Sequence, residues 1–252
     1  MGDLGKNLIM NIRSLVLSLA AIVIAISGSA QAIKKTVELP EFKSIYVNSG
    51  YTVTLKQSNK QEVVVETLPE IWDLTTLKVE DGILMINMER KPENPNKSIW
   101  AKIDDIKLKV PMKITVSVKE IKELHVNGGG KIVSANSLAA DHLKLVLAGN
   151  GDMDLDIKSK EVKTEVAGSG NVQLRGYANT NDVSISGSGN LKAFGCELET
   201  AKVKIAGSGN CELNVSQNLE SLVAGSGTVK HKGNTKAVTR RVYGSGNVER
   251  AF

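Results

Sequence analysis

The chain has 252 residues, of which 23% are charged and only 4% aromatic, with a formal net charge of +5. Its lysines, among them Lys56, Lys60, Lys107, Lys109, Lys113 and Lys119, are scattered rather than clustered. Nucleic-acid binding draws on dense Lys/Arg patches interleaved with stacking rings, so this composition argues against it.

Residues 1–32 read as a secretory signal peptide. Lys6 and Arg13 charge its start, residues 15–26 form an apolar run broken only by Ser18, and Ala30-Gln31-Ala32 supplies a small-x-small cleavage site. At about 1.5 Å per residue that run is too short to cross roughly 30 Å of hydrocarbon. Cleavage before Ile33 is therefore expected, with no stable membrane span afterwards and export to the periplasm or the cell surface. Losing Lys6, Arg13 and Asp3 takes 32 basic and 27 acidic residues to 30 and 26, a net of +4. The only cysteines are Cys196 and Cys211, so a lipoprotein-type anchor at the cleavage point is excluded.

Residues 33–120 are expected to form a β-rich N-terminal cap with irregular first coils. Thr52-Val53-Thr54-Leu55 and residues 62–66, 84–88 and 106–110 read as short strands. Asp81-Gly82 is a hairpin-turn candidate, and Lys91-Pro92-Glu93-Asn94-Pro95-Asn96 reads as a loop. Whether this segment is a separate domain is left open by its pattern.

Residues 121–252 carry the strongest signal. A Gly-x-Gly tripeptide begins at Gly128, Gly149, Gly168, Gly187, Gly207, Gly225 and Gly244, at intervals of 21, 19, 19, 20, 18 and 19 residues. Serine is central in five copies (Ser169, Ser188, Ser208, Ser226, Ser245), and asparagine follows in four (Asn171, Asn190, Asn210, Asn247). Two residues before each first glycine stand Val126, Leu147, Val166, Ile185, Ile205, Val223 and Val242. Four residues after it stand Ile132, Met153, Val172, Leu191, Cys211, Val229 and Val248. The next column is mostly polar (Asp154, Gln173, Lys192, Glu212, Lys230, Glu249), and the one after returns to Leu155, Leu174, Ala193 and Leu213.

Alternation of period two on both sides of a glycine turn means strands with one buried face. One such unit cannot bury its apolar side alone, but units stacked at about 4.8 Å share a continuous core. The prediction is an all-β, right-handed parallel β-solenoid of strand, GSG turn, strand and polar corner, about 30 Å long over the repeat. A β-sandwich would not need one phase in seven successive copies, and helices of useful length are precluded by the glycines. Lys192, Glu212, Lys230 and Glu249 should alternate in sign along a solvated face.

The Ala-Gly-Ser-Gly-Asn-Val and Ser-Gly-Ser-Gly-Asn-Leu repeats, with Phe42-Lys43-Ser44-Ile45-Tyr46-Val47 upstream, resemble the auto-transporter adhesin head GIN domain family, domain of unknown function 2807. The resemblance covers about residues 42–250. It implies a two-sheet, pectin-lyase-like superhelix from a Gram-negative cell envelope, without retained catalytic residues and with a role in cell adhesion. A self-displaying autotransporter also carries a membrane barrel. Only Asn247 to Phe252 follow Gly246, so surface display would need other machinery.

Several residues are candidates for a site. Asp152, Asp154 and Asp156 form the densest acidic strand, and Arg175 on the next coil is expected beside Asp156; a solvated face with one ion pair is the expected role. Asn150-Gly151-Asp152 resembles a calcium repeat only faintly, because the other copies lack the aspartate. His125, His142 and His231 fall at different phases and should form neither a metal cluster nor a base pair. The serine row has no histidine beside it, so these are read as turn residues. Asn171, Asn190 and Asn210 should stack their amides. Cys211 falls in a core column and Cys196 at an outer corner, out of phase, which predicts free thiols.

The reading is an exported, non-enzymatic binding or adhesion module with no catalytic residue, no cofactor and no metal. Its partner is expected to be a glycan or a host or envelope surface component, not nucleic acid. The alternatives are a carbohydrate-active enzyme on a β-helix scaffold and a periplasmic scaffold protein.

Overall fold

The computed structural model describes residues 32–88 and 112–251. The signal segment, the loop at residues 91–96, the strand at residues 106–110 and Phe252 lie outside them. The described strands in chain order are β1 (Ile33–Val37), β2 (Ser44–Asn48), β3 (Thr52–Gln57), β4 (Glu62–Thr67), β5 (Thr75–Glu80), β6 (Ile83–Met88), β7 (Lys113–Val118), β8 (Glu123–Gly128) and β9 (Lys131–Ser134). The longer β10 (Leu138–Gly149), β11 (Asp152–Gly168), β12 (Asn171–Gly187), β13 (Asn190–Gly207) and β14 (Asn210–Gly225) follow, then β15 (Thr228–Lys232), β16 (Ala237–Tyr243) and β17 (Asn247–Arg250). One helical turn, α1 (Pro69–Trp72), joins β4 to β5.

The protein is a β-solenoid. Before each turn, β8 and the second halves of β10 to β14 pair in parallel, each first glycine facing the first glycine of the next coil from Gly128 through Gly207 to Gly225. After each turn, β9, the first halves of β11 to β14, β15 and β17 form a second parallel sheet. The columns read from the sequence face inward: Val126, Leu147, Val166, Ile185, Ile205 and Val223 are buried, as are Ile132, Met153, Val172, Leu191, Cys211, Val229 and Val248. Val242 departs from this pattern. Its coil is stacked on one side only by β14, and it stays exposed.

The upstream segment contributes coils to the same stack. β2 pairs in parallel with β8, and β3 with β9, so that Val47 lies opposite Val126 and Val53 opposite Ile132. Ser49-Gly50-Tyr51 therefore occupies the place that Gly128-Gly129-Gly130 holds in the next coil. On the far side, β6 pairs with β2 and β7 with β3, again in parallel. A coil formed early in the chain thus sits between two formed later. The same buried cluster runs from Phe42 to Val248.

The outer end of this segment is finished by antiparallel strands. β5 pairs with β6 through the Asp81-Gly82 turn, where both residues have positive φ (50° and 73°), as a tight hairpin requires. β4 covers β7, and β1 covers β4. Tyr51 is fully buried, and its hydroxyl lies 2.6 Å from Thr75 Oγ1, tying the first turn to β5. Lys35 Nζ sits 4.5 Å from the centre of the Trp72 ring, a contact that holds β1 to the helical turn.

Candidate functional site

Two edges run the length of the solenoid, and they differ in chemistry. At the glycine edge, each turn is consumed by stacking: Ser169 N–H and Gly170 N–H both donate to Gly149 C=O (2.9 and 3.1 Å), and Ser188 and Gly189 repeat this on Gly168. Beside the turns runs an amide ladder. Asn171 donates to Asp152 Oδ1 (3.1 Å), Asn190 to Asn171 Oδ1 (3.0 Å), and Asn210 to Asn190 Oδ1 through both its side chain (3.0 Å) and its backbone (3.2 Å). The expected amide stack is present, and Asp152 is its terminal acceptor rather than a free carboxylate.

Asn190 both donates and accepts in this ladder. Replacing it with alanine should cost about 1 kcal/mol, because water replaces the lost partners at this half-exposed site. Asn190→Asp should cost more at neutral pH, since a carboxylate facing Asn171 Oδ1 cannot donate. Urea unfolding of both variants checks the order.

The acidic strand is also engaged beyond Asp152. Backbone register places Arg175 beside Asp156, as expected, but its guanidinium reaches Asp154 instead (2.6 Å). Lys192, Glu212, Lys230 and Glu249 fall in one register column, with Lys230 and Glu249 at 3.3 Å. Exposed pairs of this kind contribute roughly 0–1 kcal/mol.

The histidines take separate roles. His125 packs edge-on against Tyr46, with ring centres 4.8 Å apart; His142 lies 2.8 Å from Glu161; His231 is buried near Thr235. Among the described residues, no three His, Cys, Asp or Glu side chains converge in an arrangement that could hold a metal ion. Burial holds His125 and His231 below the ordinary histidine value of 6.5, with Lys144 adding to the effect at His125 against Glu123 and Glu165, and Arg250 adding to it at His231. As pH falls through 6.5 the unfolded chain therefore binds protons before the folded one, and stability should decline from there down to the folded values. Melting temperatures recorded from pH 7.5 down to about 5 should show this slope, flattened by His231→Asn.

Both cysteines are free and buried. Cys196 corrects the sequence reading, which put it at an outer corner. The coil of β13 has one residue more than that of β12, and a register shift after Gln173 absorbs it near Phe194. Cys196 then lands opposite Gly176 and is fully buried. Burial pushes the Cys196 thiol up to about 12, and raises that of Cys211 further.

The second edge is the polar corner. There the alternation breaks, so that two successive outward residues form each bend: Asp141-His142, Lys160-Glu161 and Asn179-Thr180. Alongside lies an open groove of about 1120 Å³ that crosses the coils of β8, β10, β11 and β12. Ala139, Leu143 and Val162 contribute to its floor, and lysines and carboxylates form its walls. Most of these charges are paired: Lys160 with Asp141 (3.0 Å), Lys144 with Glu123 (2.9 Å) and Lys163 with Glu165 (2.6 Å). Tyr177 is the aromatic member of the lining and is 37% exposed, its hydroxyl donating to Glu199 (2.6 Å). Periodicity predicted the corner, but the groove depends on how successive corners stack.

The chain is thus a β-solenoid with a stacked glycine edge and an open lateral groove that has an apolar floor and charged walls. The chain belongs to the family described as "Putative auto-transporter adhesin, head GIN domain" (DUF2807), which matches residues 41–235. The solved structure of a "putative adhesin" from Bacteroides fragilis NCTC 9343 shares the fold at 22% identity and a TM-score of 0.77, covering 90% of this chain and 100% of that one. Another, from Parabacteroides merdae ATCC 43184, does so at 21% identity and a TM-score of 0.67, over 89% and 98%. A "putative lipid binding protein" from Parabacteroides distasonis ATCC 8503 aligns at 22% identity and a TM-score of 0.68, over 90% and 99%. No curated protein matches the chain. Among the described residues, no helix is long and apolar enough to cross a membrane.

Proposed function

We propose that the mature chain is an exported, non-catalytic adhesin-class module that binds a glycan-bearing component of a host or envelope surface along the second-corner groove. The groove itself carries this reading. Recognition needs a surface whose chemistry varies from place to place. The glycine edge offers the same small residues in coil after coil, whereas the corner presents Asp141-His142, Lys160-Glu161 and Asn179-Thr180 in succession beside an exposed phenol ring. Saccharides are commonly held by such a mixture of polar groups and one aromatic face.

Family membership supports adhesion, and the signal-like residues 1–32 support export. In the acidic strand Asp152 accepts from the amide ladder and Asp154 pairs with Arg175, which supports a structural role for these two carboxylates.

Protease added to intact cells producing the protein tests the surface reading. Digestion of the protein, together with reduced cell binding by a Tyr177→Ala variant, is the expected result. Complete shielding in intact cells would sink surface adhesion and leave a periplasmic scaffold.

A further inference from the structure

We infer that the C-terminal end of the solenoid is a docking edge for an extended acidic segment of a partner protein. The segment adds a strand to β16 and sets a carboxylate between Arg240 and Arg250. This surface lies away from the lateral groove, so the inference stands apart from the reading of that groove.

Among the described residues β16 pairs only with β14, and β17 only with β15, both in parallel. The outer edge of each therefore carries backbone N–H and C=O groups without a ladder partner there. All seven residues of β16 are exposed, whereas Leu219, Ser221 and Val223 in the coil beneath are buried. At such an edge an added strand gains affinity from main-chain hydrogen bonds and specificity from its alternate side chains.

The inward columns say what that strand must carry. Val238, Arg240 and Val242 stand in register with Leu219, Ser221 and Val223 on the first sheet. On the second sheet Arg250 continues the column of Leu213 and His231. Arg240 and Arg250 thus line one recess of about 540 Å³ at the end of the core. Arg240 donates to Val248 C=O (3.5 Å) and Arg250 to Gly233 C=O (3.3 Å). Neither forms an ion pair with any described residue.

The acidic groups nearby are already engaged. Glu249, which also lines the recess, lies 3.3 Å from Lys230 and accepts from Asn247 (2.9 Å). In the coil beneath, Glu212 stands opposite Lys230, and Glu220 pairs with Lys202 (3.5 Å). Residues 228–251 hold six basic side chains (Lys230, Lys232, Lys236, Arg240, Arg241, Arg250) against Glu249 alone. Their net of +5 equals the formal charge of the whole chain.

That charge decides between occupants. A second copy docked through the same end would set one basic end against another, and a neutral strand would bury Arg240 without a counter-ion. A strand with an acidic residue flanked two positions away on each side by apolar ones avoids both. It covers Val238 and Val242 and offers a guanidinium its complementary carboxylate.

The test uses the full mature chain and a labelled peptide with the core valine-threonine-glutamate-threonine-valine, beside counterparts with glutamine or lysine at the centre. The glutamate peptide should bind roughly tenfold more tightly than the glutamine one, and the lysine peptide most weakly, with the differences narrowing as salt rises. Hydrogen exchange at the β16 amides should slow on binding. Arg240→Gln should cut the glutamate preference to about threefold or less, and Arg240→Gln with Arg250→Gln should erase it. Arg241→Gln, on the outward column, should keep it. These side chains are exposed, so melting curves should match the wild type. An equal loss of preference in Arg241→Gln and Arg240→Gln would mean diffuse attraction and overturn the inference. So would no binding of the glutamate peptide, unchanged exchange at β16, or a preference that survives the double variant. A wild-type mass that rises with concentration in sedimentation velocity would overturn it in favour of a second copy.

Discussion

Gly168→Ala should cost about 2–5 kcal/mol of stability, whereas Gly129→Ala, in a turn of the same family of tripeptides, should stay within about 0.5 kcal/mol. Two penalties act at Gly168. Its φ of +123° lies in a region that residues with a Cβ avoid, at a cost of about 1–2 kcal/mol. An added Cβ would also lie 2.5 Å from Gly149 O and 3.0 Å from Gly149 N, and the obstacle is backbone that cannot swing away. Overpacking of this kind adds roughly 1–3 kcal/mol.

Gly149 O is moreover the acceptor for the Ser169 and Gly170 amides, so a displaced turn loosens the hydrogen bonds that join two coils. Gly128 separates the terms. It has positive φ (+99°) but open space around its Cβ position, so Gly128→Ala should show the conformational cost alone, about 1–2 kcal/mol. Urea unfolding of the three variants gives the comparison. Equal losses at Gly128 and Gly168 would show that close stacking of the turns contributes nothing.

Arg240→Val should make the protein self-associate in proportion to its concentration. β16 pairs with β14 along one edge, and all of its residues are exposed. Val238, Arg240 and Val242 stand in register with the buried Leu219, Ser221 and Val223, so they continue the inward-facing column of the solenoid. The two valines and Tyr243, 66% exposed, give this coil an apolar character that would favour further stacking. Arg240 opposes it. Its guanidinium lies across a recess of about 540 Å³ between β16 and β17 and reaches Val248 C=O at 3.5 Å.

A strand added over that recess would bury the charge without a partner, at a cost of several kcal/mol. Inward-pointing charges are one of the ways in which sheet edges resist unwanted pairing. Valine removes the obstacle and extends the apolar column. Sedimentation velocity over a concentration series should show a rising mass for Arg240→Val and none of that increase for Arg240→Lys. Identical profiles for all three proteins would mean that the edge is protected by something other than this charge.

Both expectations depend on features of unequal visibility in the sequence. The solenoid was legible because its constraint repeats: Gly149, Gly168, Gly187 and Gly207 recur where turns stack backbone on backbone, and Leu155, Leu174 and Leu213 recur where the core must be filled. The amide ladder of Asn171, Asn190 and Asn210 was legible for the same reason. The β2–β3 coil was not, because Ser49-Gly50-Tyr51 makes a turn of the stack without the Gly-x-Gly pattern. Cys196 was misplaced because counting from a glycine assumes an unbroken strand, and the bulge near Phe194 breaks it.

The amino-acid pattern by itself therefore determined the architecture of the repeating coils, the inward columns on either side of the glycine turns up to Val223 and Val248, and the place of the polar corner. These follow from local rules, period two and glycine at tight turns, which act within one coil and repeat in the next. Tertiary structure alone decided that an early coil is inserted between two later ones, that Arg175 pairs with Asp154, and that Lys158 and Tyr177 stand together over a groove. Each of these depends on the stacking of segments roughly twenty to eighty residues apart. Hydrophobic burial drives such stacking without specifying in the sequence which coil comes next.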